Sequence, residues 1–503
     1  MTLFKGFRVA SLAIGLLCAL WILVVACAQC IKASDAYRLI GTLGFLLAIA
    51  LLGRATWNRP TRIKLFLARY SGRVAWVLIG IMSFLLLLFS FRTAVDFSWD
   101  WGQLIKSASA YVLTGELDRV DYYARYPNNQ FWLMCLTLIF KGVKFVVPTA
   151  DIVLFKNVSI VLSCACTVGA VIVTYLTAQM HLGKKAIIVI FLAFGCLPLY
   201  LYSSFFYTDS PGILLCALIL YLSSRLSLSA NTKEKAALVI LIGLICALIV
   251  QIKVMVLIVA IAIAIAATLN AKSRRQLFLV VRRIAAIGVI CIVLCSAFNV
   301  AKAAYVDIDS NMENQYEFPV QHWVMMGLGY GGFSQDDVDF TKSFETLEDK
   351  KRANFDEIAK RITNRGVLGT AEHLLYTKAL RTWGNPCLAG DDYINRHVIH
   401  NGRLQQWFAL GGTRHDIVLG YAWAFWLLLL SGIALEPIIQ LKGRCTRASS
   451  LLISLIGIFL FFSLWECNSR YLYVFLPVLI LLSSHGYALL VHKADLFRKR
   501  IRE

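Results

Sequence analysis

Long apolar runs alternate with short polar connections along almost the whole chain. A helix needs about 20 apolar residues to cross a bilayer, and runs of this kind predict transmembrane helices. The predicted spans are residues 8–30, 36–53, 73–91, 152–179, 185–203, 210–228, 236–250, 254–269, 284–302, 417–441, 449–466 and 471–492. The predicted fold class is therefore an all-α integral membrane protein with about 12 transmembrane helices.

Composition supports this prediction. The chain is 59% hydrophobic and 16% charged, whereas a soluble domain is about 45–50% apolar and about 25% charged. Its net charge of +21 could indicate nucleic-acid binding, but the basic residues lie in short connections between apolar runs, as in cytoplasmic loops. We therefore expect the lipid bilayer as a partner and no nucleic acid. Most of the 14 cysteines lie inside apolar runs, and we expect them to be small buried side chains and not metal ligands.

The distribution of basic residues predicts the orientation. The connection between the second and third spans, together with Arg73 at the start of the third, carries six basic residues and no acid, so it should be cytoplasmic. The apolar run 130–147 carries Lys141 and Lys144, which a central span would place badly. If this run is interfacial or re-entrant, every later basic connection also falls on the cytoplasmic side. Both termini are then predicted to be cytoplasmic.

This topology divides the chain into four parts. Residues 1–72 form two N-terminal spans with a basic cytoplasmic linker, and residues 73–302 form a transmembrane core whose first outer loop, 92–151, contains interfacial helices. Residues 303–416 are predicted to be a long extracytoplasmic segment. Residues 417–503 form the C-terminal spans and a basic tail.

The first outer loop begins with two aspartates, Asp96 and Asp100. Apolar residues then recur on one face of a predicted surface helix over 102–114, which should end at Gly115. Asp100 could simply cap this helix. Alternatively, a partly desolvated carboxylate at the bilayer boundary could act as a base, because desolvation raises its proton affinity.

Other outward-facing candidates also have two interpretations. Arg125 and Tyr126 could be interface anchors or could hold a phosphate, which suits the fork of an arginine. Asp209 could be the N-cap of the following span, and Glu466 could form a local ion pair with Arg470. Three basic residues break the positive-inside rule and need a reason to lie outside: Lys253, Lys378 and Arg470.

Taken together, the order of these motifs over about residues 73–492 resembles that of C-type superfold membrane glycosyltransferases that use polyprenyl-phosphate sugars. Protein O-mannosyltransferases, aminoarabinose transferases and bacterial relatives belong to this branch. The motifs that carry the resemblance are Asp100 with the helix 102–114 and YYARYPNN, then Tyr207, Asp209 and Pro211, then Glu466, Arg470, Tyr471 and Pro477. Relatives often have a glutamate directly after the aspartate or a basic residue three positions on, but this chain has Trp101 and Gln103.

The resemblance implies a reaction at the outer face of a bacterial plasma membrane. Asp100, and less so Asp96, would be the catalytic base, with Asp209 as a second acid. The donor phosphate would be bound by basic and polar residues, namely Arg125, Tyr126, Lys253, Lys378, Glu466 and Arg470. The reaction would be an inverting sugar transfer to a hydroxyl of a glycan, lipid or protein, without a cofactor or a divalent metal. A flippase and a glycan polymerase or ligase are the alternative functions.

Overall fold

The computed structural model describes residues 4–33, 36–58, 62–306, 310–399, 402–442 and 449–502. Within these ranges the regular structure is helical, apart from one isolated β-bridge between Val95 and Val398. The transmembrane half before the outer segment contains α1 (Lys5–Ala33), α2 (Ala36–Asn58), α3 (Arg62–Arg92), α4 (Trp99–Thr114), α5 (Val120–Arg125), α6 (Gln130–Val146), α7 (Ile152–Leu182), α8 (Ile187–Gly195), α9 (Leu197–Leu201), α10 (Asp209–Leu228), α11 (Thr232–Ile252), α12 (Leu257–Leu269) and α13 (Arg274–Ala303).

The remaining helices form the outer segment and the C-terminal spans. They are α14 (Ser310–Tyr316), α15 (Val320–Leu328), α16 (Gln335–Lys342), α17 (Leu347–Glu372), α18 (Lys378–Trp383), α19 (Gly390–Tyr393), α20 (Arg403–Phe408), α21 (His415–Lys442), α22 (Ser450–Leu464) and α23 (Leu476–Arg502).

Eight helices in the described part of the chain are long and apolar enough to cross a membrane. They are Lys5–Ala33, Arg69–Arg92, Ile152–Gly195, Asp209–Leu228, Thr232–Ile252, Arg274–Ala303, His415–Leu441 and Ser469–Val491. Three shorter apolar helices correspond to other predicted spans: Arg38–Leu51, Val254–Leu269 and Ser450–Leu464. The all-helical membrane fold is confirmed, whereas the exact count of twelve spans is not.

The segment predicted as a span over 185–203 is not one continuous helix. It is broken at Cys196, between α8 and α9, because Pro198 has no amide hydrogen to continue the helical bonding. Tyrosine hydroxyls replace the missing donors: Tyr200 donates to the carbonyl of Phe194 at 3.1 Å, and Tyr421 donates to that of Gly195 at 2.7 Å. Such compensation is what allows a break inside an apolar environment.

Contacts sort the connections into two ends. At one end, Arg8 donates to the carbonyl of Leu269, and Lys185 donates to that of Ala488; we call this the basic end. At the other, which we call the site end, Lys253 pairs with Asp209. Connections that the sequence predicts to share a side therefore lie together.

Helix α6 lies across the site end. Phe131 packs on Phe298 near the end of α13, while Phe140 stacks on Phe155 in the first turn of α7 at 4.6 Å. The Lys141 ammonium lies 5.3 Å from the ring of Tyr305, just after α13. Both halves of α6 thus contact helix ends on the same side, in agreement with an interfacial helix.

The outer segment folds back onto the membrane helices and is not a separate domain. Helix α17 is broken at Gly366, whose φ of 67° is left-handed. Beyond the break, the carbonyl of Leu375 accepts a hydrogen bond from the Trp21 indole of α1 at 2.7 Å. The Lys378 ammonium then donates to the carbonyl of Trp465 at 2.6 Å.

The C-terminal spans cross very closely. A Cβ atom added to Gly486 of α23 would lie 2.0 Å from the carbonyl oxygen of Gly432 in α21. Small residues at such crossings let membrane helices approach each other and pack.

We expect Gly486→Ala to destabilise the protein by about 1–3 kcal/mol, because the added methyl group overpacks this crossing. The measurement is the midpoint of thermal denaturation in detergent, with gel filtration to quantify the protein that stays monodisperse after heating. The matched control is Gly288→Ala in α13, where a Cβ atom meets nothing within 4 Å and alanine favours the helix. Equal midpoints for Gly486→Ala and the parent protein would contradict the packing argument.

We also expect the site end to be extracytoplasmic. In a variant without reactive native thiols, Glu116→Cys, at an exposed position after α4, should react with a membrane-impermeant maleimide in intact cells. Lys233→Cys, exposed in the first turn of α11 at the basic end, should react only after permeabilisation. The reverse pattern would show that the predicted orientation is wrong.

Candidate functional site

Asp100 lies in the first turn of α4, immediately after a tight reversal of the chain. Trp99 has a left-handed φ of 39°, which is uncommon for a non-glycine residue. Gly102 permits the reversal, since a Cβ atom there would lie 2.8 Å from the carbonyl carbon of Phe97. The structure gives Asp100 partners outside α4, so the capping interpretation is not what holds its side chain.

Two phenols hold the Asp100 carboxylate. Tyr122 donates to Oδ1 at 2.8 Å, and the Tyr207 hydroxyl lies 3.5 Å from Oδ2. Asn129 links the two phenols, because it donates to the Tyr122 oxygen at 2.8 Å and accepts from Tyr207 at 3.2 Å. The single hydroxyl hydrogen of Tyr207 is therefore shared between Asn129 and Asp100. Burial and the nearby Asp100 raise the pKa of Tyr122 well above its usual range. Tyr122 therefore stays protonated and acts as a donor to the carboxylate.

Asp209 lies at the start of α10, where Thr208 and not Asp209 is the N-cap residue. The N-cap interpretation of Asp209 is therefore wrong. Its buried carboxylate lies 2.6 Å from the Lys253 ammonium and 3.6 Å from Arg470 Nε. Burial lowers the pKa of Lys253, and Asp209 opposes this shift. Two cations thus converge on one carboxylate at the ends of three elements.

Arg470 is enclosed by aromatic rings. Its guanidinium carbon lies 4.8 Å from the centroid of Trp99 and between 5.4 and 5.6 Å from those of Tyr393, Tyr471 and Tyr207. It donates to the Tyr393 hydroxyl at 3.2 Å. Among the described residues, its buried Nε meets no acceptor in hydrogen-bond geometry. The guanidinium therefore keeps donor capacity for a ligand.

Tyr207 joins these two sets of charged groups. Its hydroxyl faces Asp100, while its ring lies 5.6 Å from both the Lys253 ammonium and the Arg470 guanidinium carbon. We call Asp100, Tyr207, Asp209, Lys253 and Arg470 the Tyr207 cluster. The structure thus brings together four residues that the sequence nominated separately.

Glu466 does not form the predicted local ion pair with Arg470. It accepts a hydrogen bond from Tyr471 at 3.0 Å, and Arg470 turns instead to Asp209 and Tyr393. Burial raises the pKa of Glu466 and lowers the pKa of Lys378 to about 8. These two residues border the Tyr207 cluster, because Tyr471 also packs on Arg470 and Lys378 binds the carbonyl next to Glu466.

Three other candidates lie at the edge or outside. Asp96 is exposed and accepts a hydrogen bond from its neighbour's amide, that of Phe97. Arg125 lies over the rings of Tyr316 and Phe318, at 5.8 and 6.0 Å, against the outer segment. Tyr126 packs on Tyr122 with ring centroids 5.1 Å apart. The structure therefore does not bring Asp96 and Arg125 into the Tyr207 cluster.

Sequence reasoning assigned no site role to several residues that shape the cluster, namely Trp99, Tyr122, Asn129 and Tyr393. Aromatic residues at a membrane boundary usually anchor the interface, so their type alone did not distinguish them. The useful signal was proximity: Trp99 is adjacent to Asp100, and Tyr122 and Asn129 are the first and last residues of the motif YYARYPNN. Tyr393 lies in the outer segment, and only the fold brings it to Arg470.

The arrangement separates two chemical tasks. In the described residues, both hydrogen-bond donors to Asp100 are phenols, so its carboxylate can take up a proton. Lys253 and Arg470 carry two positive charges against the single carboxylate of Asp209, which favours an anionic ligand. The described groups able to hold a metal ion lie elsewhere, at Cys387, Asp391 and His415.

Comparison with solved structures finds chains of the archaeal oligosaccharyltransferase from Archaeoglobus fulgidus. One is AglB in complex with an inhibitory peptide and a dolichol-phosphate, at 17% identity and a TM-score of 0.44, covering 86% of this chain and 52% of that chain. Another, tethered with an acceptor peptide containing the NVT sequon via a disulfide bond, has 16% identity and a TM-score of 0.45 and covers 86% and 51%. The apo form has 16% identity and a TM-score of 0.42 and covers 84% and 51%. This chain thus spans about half the length of those proteins.

A comparison with curated proteins gives no match. A family model described as "Conserved hypothetical integral membrane protein" matches residues 2–489, which is nearly the whole chain. The protein is therefore a member of this family of integral membrane proteins.

Proposed function

We propose that the protein is a membrane glycosyltransferase that moves a sugar from a polyprenyl-phosphate donor to an acceptor hydroxyl at the outer face of a bacterial plasma membrane. The product would be a modified envelope glycan, glycolipid or protein. One observation carries the proposal: a carboxylate held by phenols lies one tyrosine away from a carboxylate with two cations. This is the pairing of a proton acceptor and a phosphate site that such a transfer needs.

Asp100 is the proposed base. The acceptor hydroxyl oxygen attacks the anomeric carbon of the donor sugar, and its proton passes to the Asp100 carboxylate. Tyr122 and Tyr207 hold the carboxylate in position without neutralising it, since both are neutral donors. Such proton transfer typically contributes about 10²–10⁴-fold to a rate.

Lys253 and Arg470 are the proposed partners of the donor phosphate. As the bond between the anomeric carbon and the phosphate oxygen breaks, its electron pair stays on the lipid phosphate. Cations already in place at that oxygen stabilise the developing charge without reorganisation. Side-chain cations would here do what a divalent metal ion does in other phosphate sites, in keeping with the expectation of metal-independent transfer.

The position of the Tyr207 cluster suits a donor that is attached to a membrane lipid. The Tyr207 cluster lies where α10 and the C-terminal spans end, and α6 lies across the same end. The headgroup of the donor would bind at this end while its polyprenyl chain stays in the bilayer. Lys378 of the outer segment and Glu466, between α22 and α23, border the cluster and would contact the sugar or phosphate.

We expect Asp100→Asn to lower sugar transfer by about 10²–10⁴-fold while donor binding is retained, because the amide cannot accept the proton. The measurement is transfer from a radiolabelled polyprenyl-phosphate sugar by purified protein in nanodiscs, together with donor binding. Transfer near the parent rate would rule out Asp100 as the base.

The matched control for this experiment is Asp118→Asn, at an exposed position in the same loop, which should transfer normally. Asp96→Asn separates the two neighbouring candidates, since a loss there with normal Asp100→Asn activity would transfer the role to Asp96. Normal lipid translocation together with no transfer by the parent protein would favour a flippase.

We expect Arg470→Lys to reduce transfer by about 10²-fold and to weaken inhibition by free polyprenyl phosphate. Lysine keeps the charge but loses the planar fork that contacts phosphate and stacks on aromatic rings, and loss of one such donor typically costs about 10²–10³-fold. The measurement is the inhibition constant of the free lipid phosphate alongside the rate.

Arg396→Lys is the matched control for this substitution. Arg396 lies over the same Tyr393 ring at 4.4 Å, but it is exposed and pairs with Asp392. Its replacement should leave both the rate and the inhibition unchanged. If Arg470→Lys altered only the acceptor's KM, Arg470 would belong to the acceptor site and not to the phosphate site.

A further inference from the structure

A thiol, a carboxylate and an imidazole meet at a buried point behind the Tyr207 cluster. They belong to Cys387, Asp391 and His415, which are 0%, 5% and 3% exposed. Their ligand atoms all lie within 4.8 Å of one another, and His415 Nε2 is 3.1 Å from Asp391 Oδ2. We propose that these three side chains bind a zinc ion.

The ligand set selects the class of metal. A thiolate and an imidazole are ligands for zinc and related transition metals, whereas magnesium and calcium prefer oxygen ligands. Zinc bonds of about 2.0–2.3 Å place tetrahedral ligands roughly 3.3–3.8 Å apart. His415 and Asp391 are already at 3.1 Å, and a separation at the 4.8 Å limit would have to shorten by about 1 Å. A water would take the fourth position.

The backbone between two of the ligands is shaped to turn both side chains to one place. Of the three residues that separate Cys387 from Asp391, Leu388 and Ala389 have left-handed φ values, 52° and 61°. Consecutive non-glycine residues in this region are costly unless the surroundings hold them. The carbonyl of Leu388 accepts a hydrogen bond from Tyr202 at 2.5 Å, which fixes this strained turn.

The position of the metal would give it a structural role. Tyr393 follows Asp391 by two residues, accepts a hydrogen bond from Arg470 and packs on Trp99 at 5.0 Å. The carbonyl of Asp391 also accepts a hydrogen bond from Leu410, in the connection that leads to His415. Zinc would therefore join the turn that carries Tyr393 to the start of α21 and so position the aromatic cage of Arg470.

The competing explanation is a chain of hydrogen bonds without metal, in which Cys387 donates to Asp391 and Asp391 pairs with His415. Metal content distinguishes the two. The full chain is purified in detergent, incubated with zinc sulfate, desalted and analysed by elemental mass spectrometry. We expect about one zinc per chain, falling to background in Cys387→Ser and in His415→Ala.

Cys216→Ser is the matched control, because Cys216 is also fully buried but lies within the span α10; its zinc content should equal that of the parent chain. Cobalt gives an independent measurement on the unmodified protein. Bound Co²⁺ should give a thiolate-to-metal charge-transfer band that zinc displaces and that Cys387→Ser abolishes.

Two results would overturn the inference. One is a monodisperse parent protein that holds no stoichiometric zinc and gives no cobalt–thiolate band. The other is a band or a zinc content that persists in both Cys387→Ser and His415→Ala. If Cys387→Ser does not fold, His415→Ala and the parent cobalt spectrum decide the question. The measurement requires no sugar transfer, so its failure would leave the proposed function untouched.

Discussion

The site depends on one electrostatic constraint: charges buried at the ends of membrane helices must be neutralised by other buried charges. Asp209 begins α10, Lys253 follows the last residue of α11, and Arg470 lies at the start of the last span, Ser469–Val491. Removing one partner of such a buried pair typically costs about 3–5 kcal/mol, because the other charge is left without compensation. These three residues, which we call the ion triad, therefore fix the ends of three spans against one another. Those ends in turn position the surrounding aromatic rings.

Much of the fold was predictable from hydropathy and charge, because each span must satisfy its backbone hydrogen bonds within its own helix in the bilayer. The sequence also predicted two spans over 236–250 and 254–269, and the structure has α11 end at Ile252 and α12 begin at Leu257. That α6 is interfacial or re-entrant stays a prediction from counting which basic connections must share a side. The break at Cys196 was not predicted, since hydropathy is insensitive to a single proline. What repairs it, the hydroxyl of Tyr421, is contributed by a span far along the chain.

The sequence predicted most charged residues of the site but not which of them pair with one another. The unusual outward positions of Asp209, Lys253 and Arg470 identified each of them, yet a local rule paired Arg470 with Glu466. That rule failed because the 3₁₀ turns of Ser469–Phe475 turn Arg470 inward to Asp209. The proposed zinc ligands were hidden for the same reason, as His415 approaches Cys387 only through the fold. Arg125 shows the opposite case, in which a residue typical of phosphate sites packs on Tyr316 and Phe318 instead.

The charges of Asp209, Lys253 and Arg470 fit the change in charge on the lipid phosphate during the proposed reaction. Lys253 and Arg470 face the carboxylates of Asp209 and Asp100, so the four charges of the Tyr207 cluster balance. A polyprenyl-phosphate sugar is a diester with one negative charge. The lipid monoester released by transfer carries close to two negative charges near neutral pH, because its second pKa is about 6. The attraction between triad and lipid therefore grows as the anomeric bond breaks, and only interactions that grow in this way accelerate the chemical step. The same growth would hold the product lipid, so its release would need Asp209 to regain both cations, which are already within 2.6 and 3.6 Å of it.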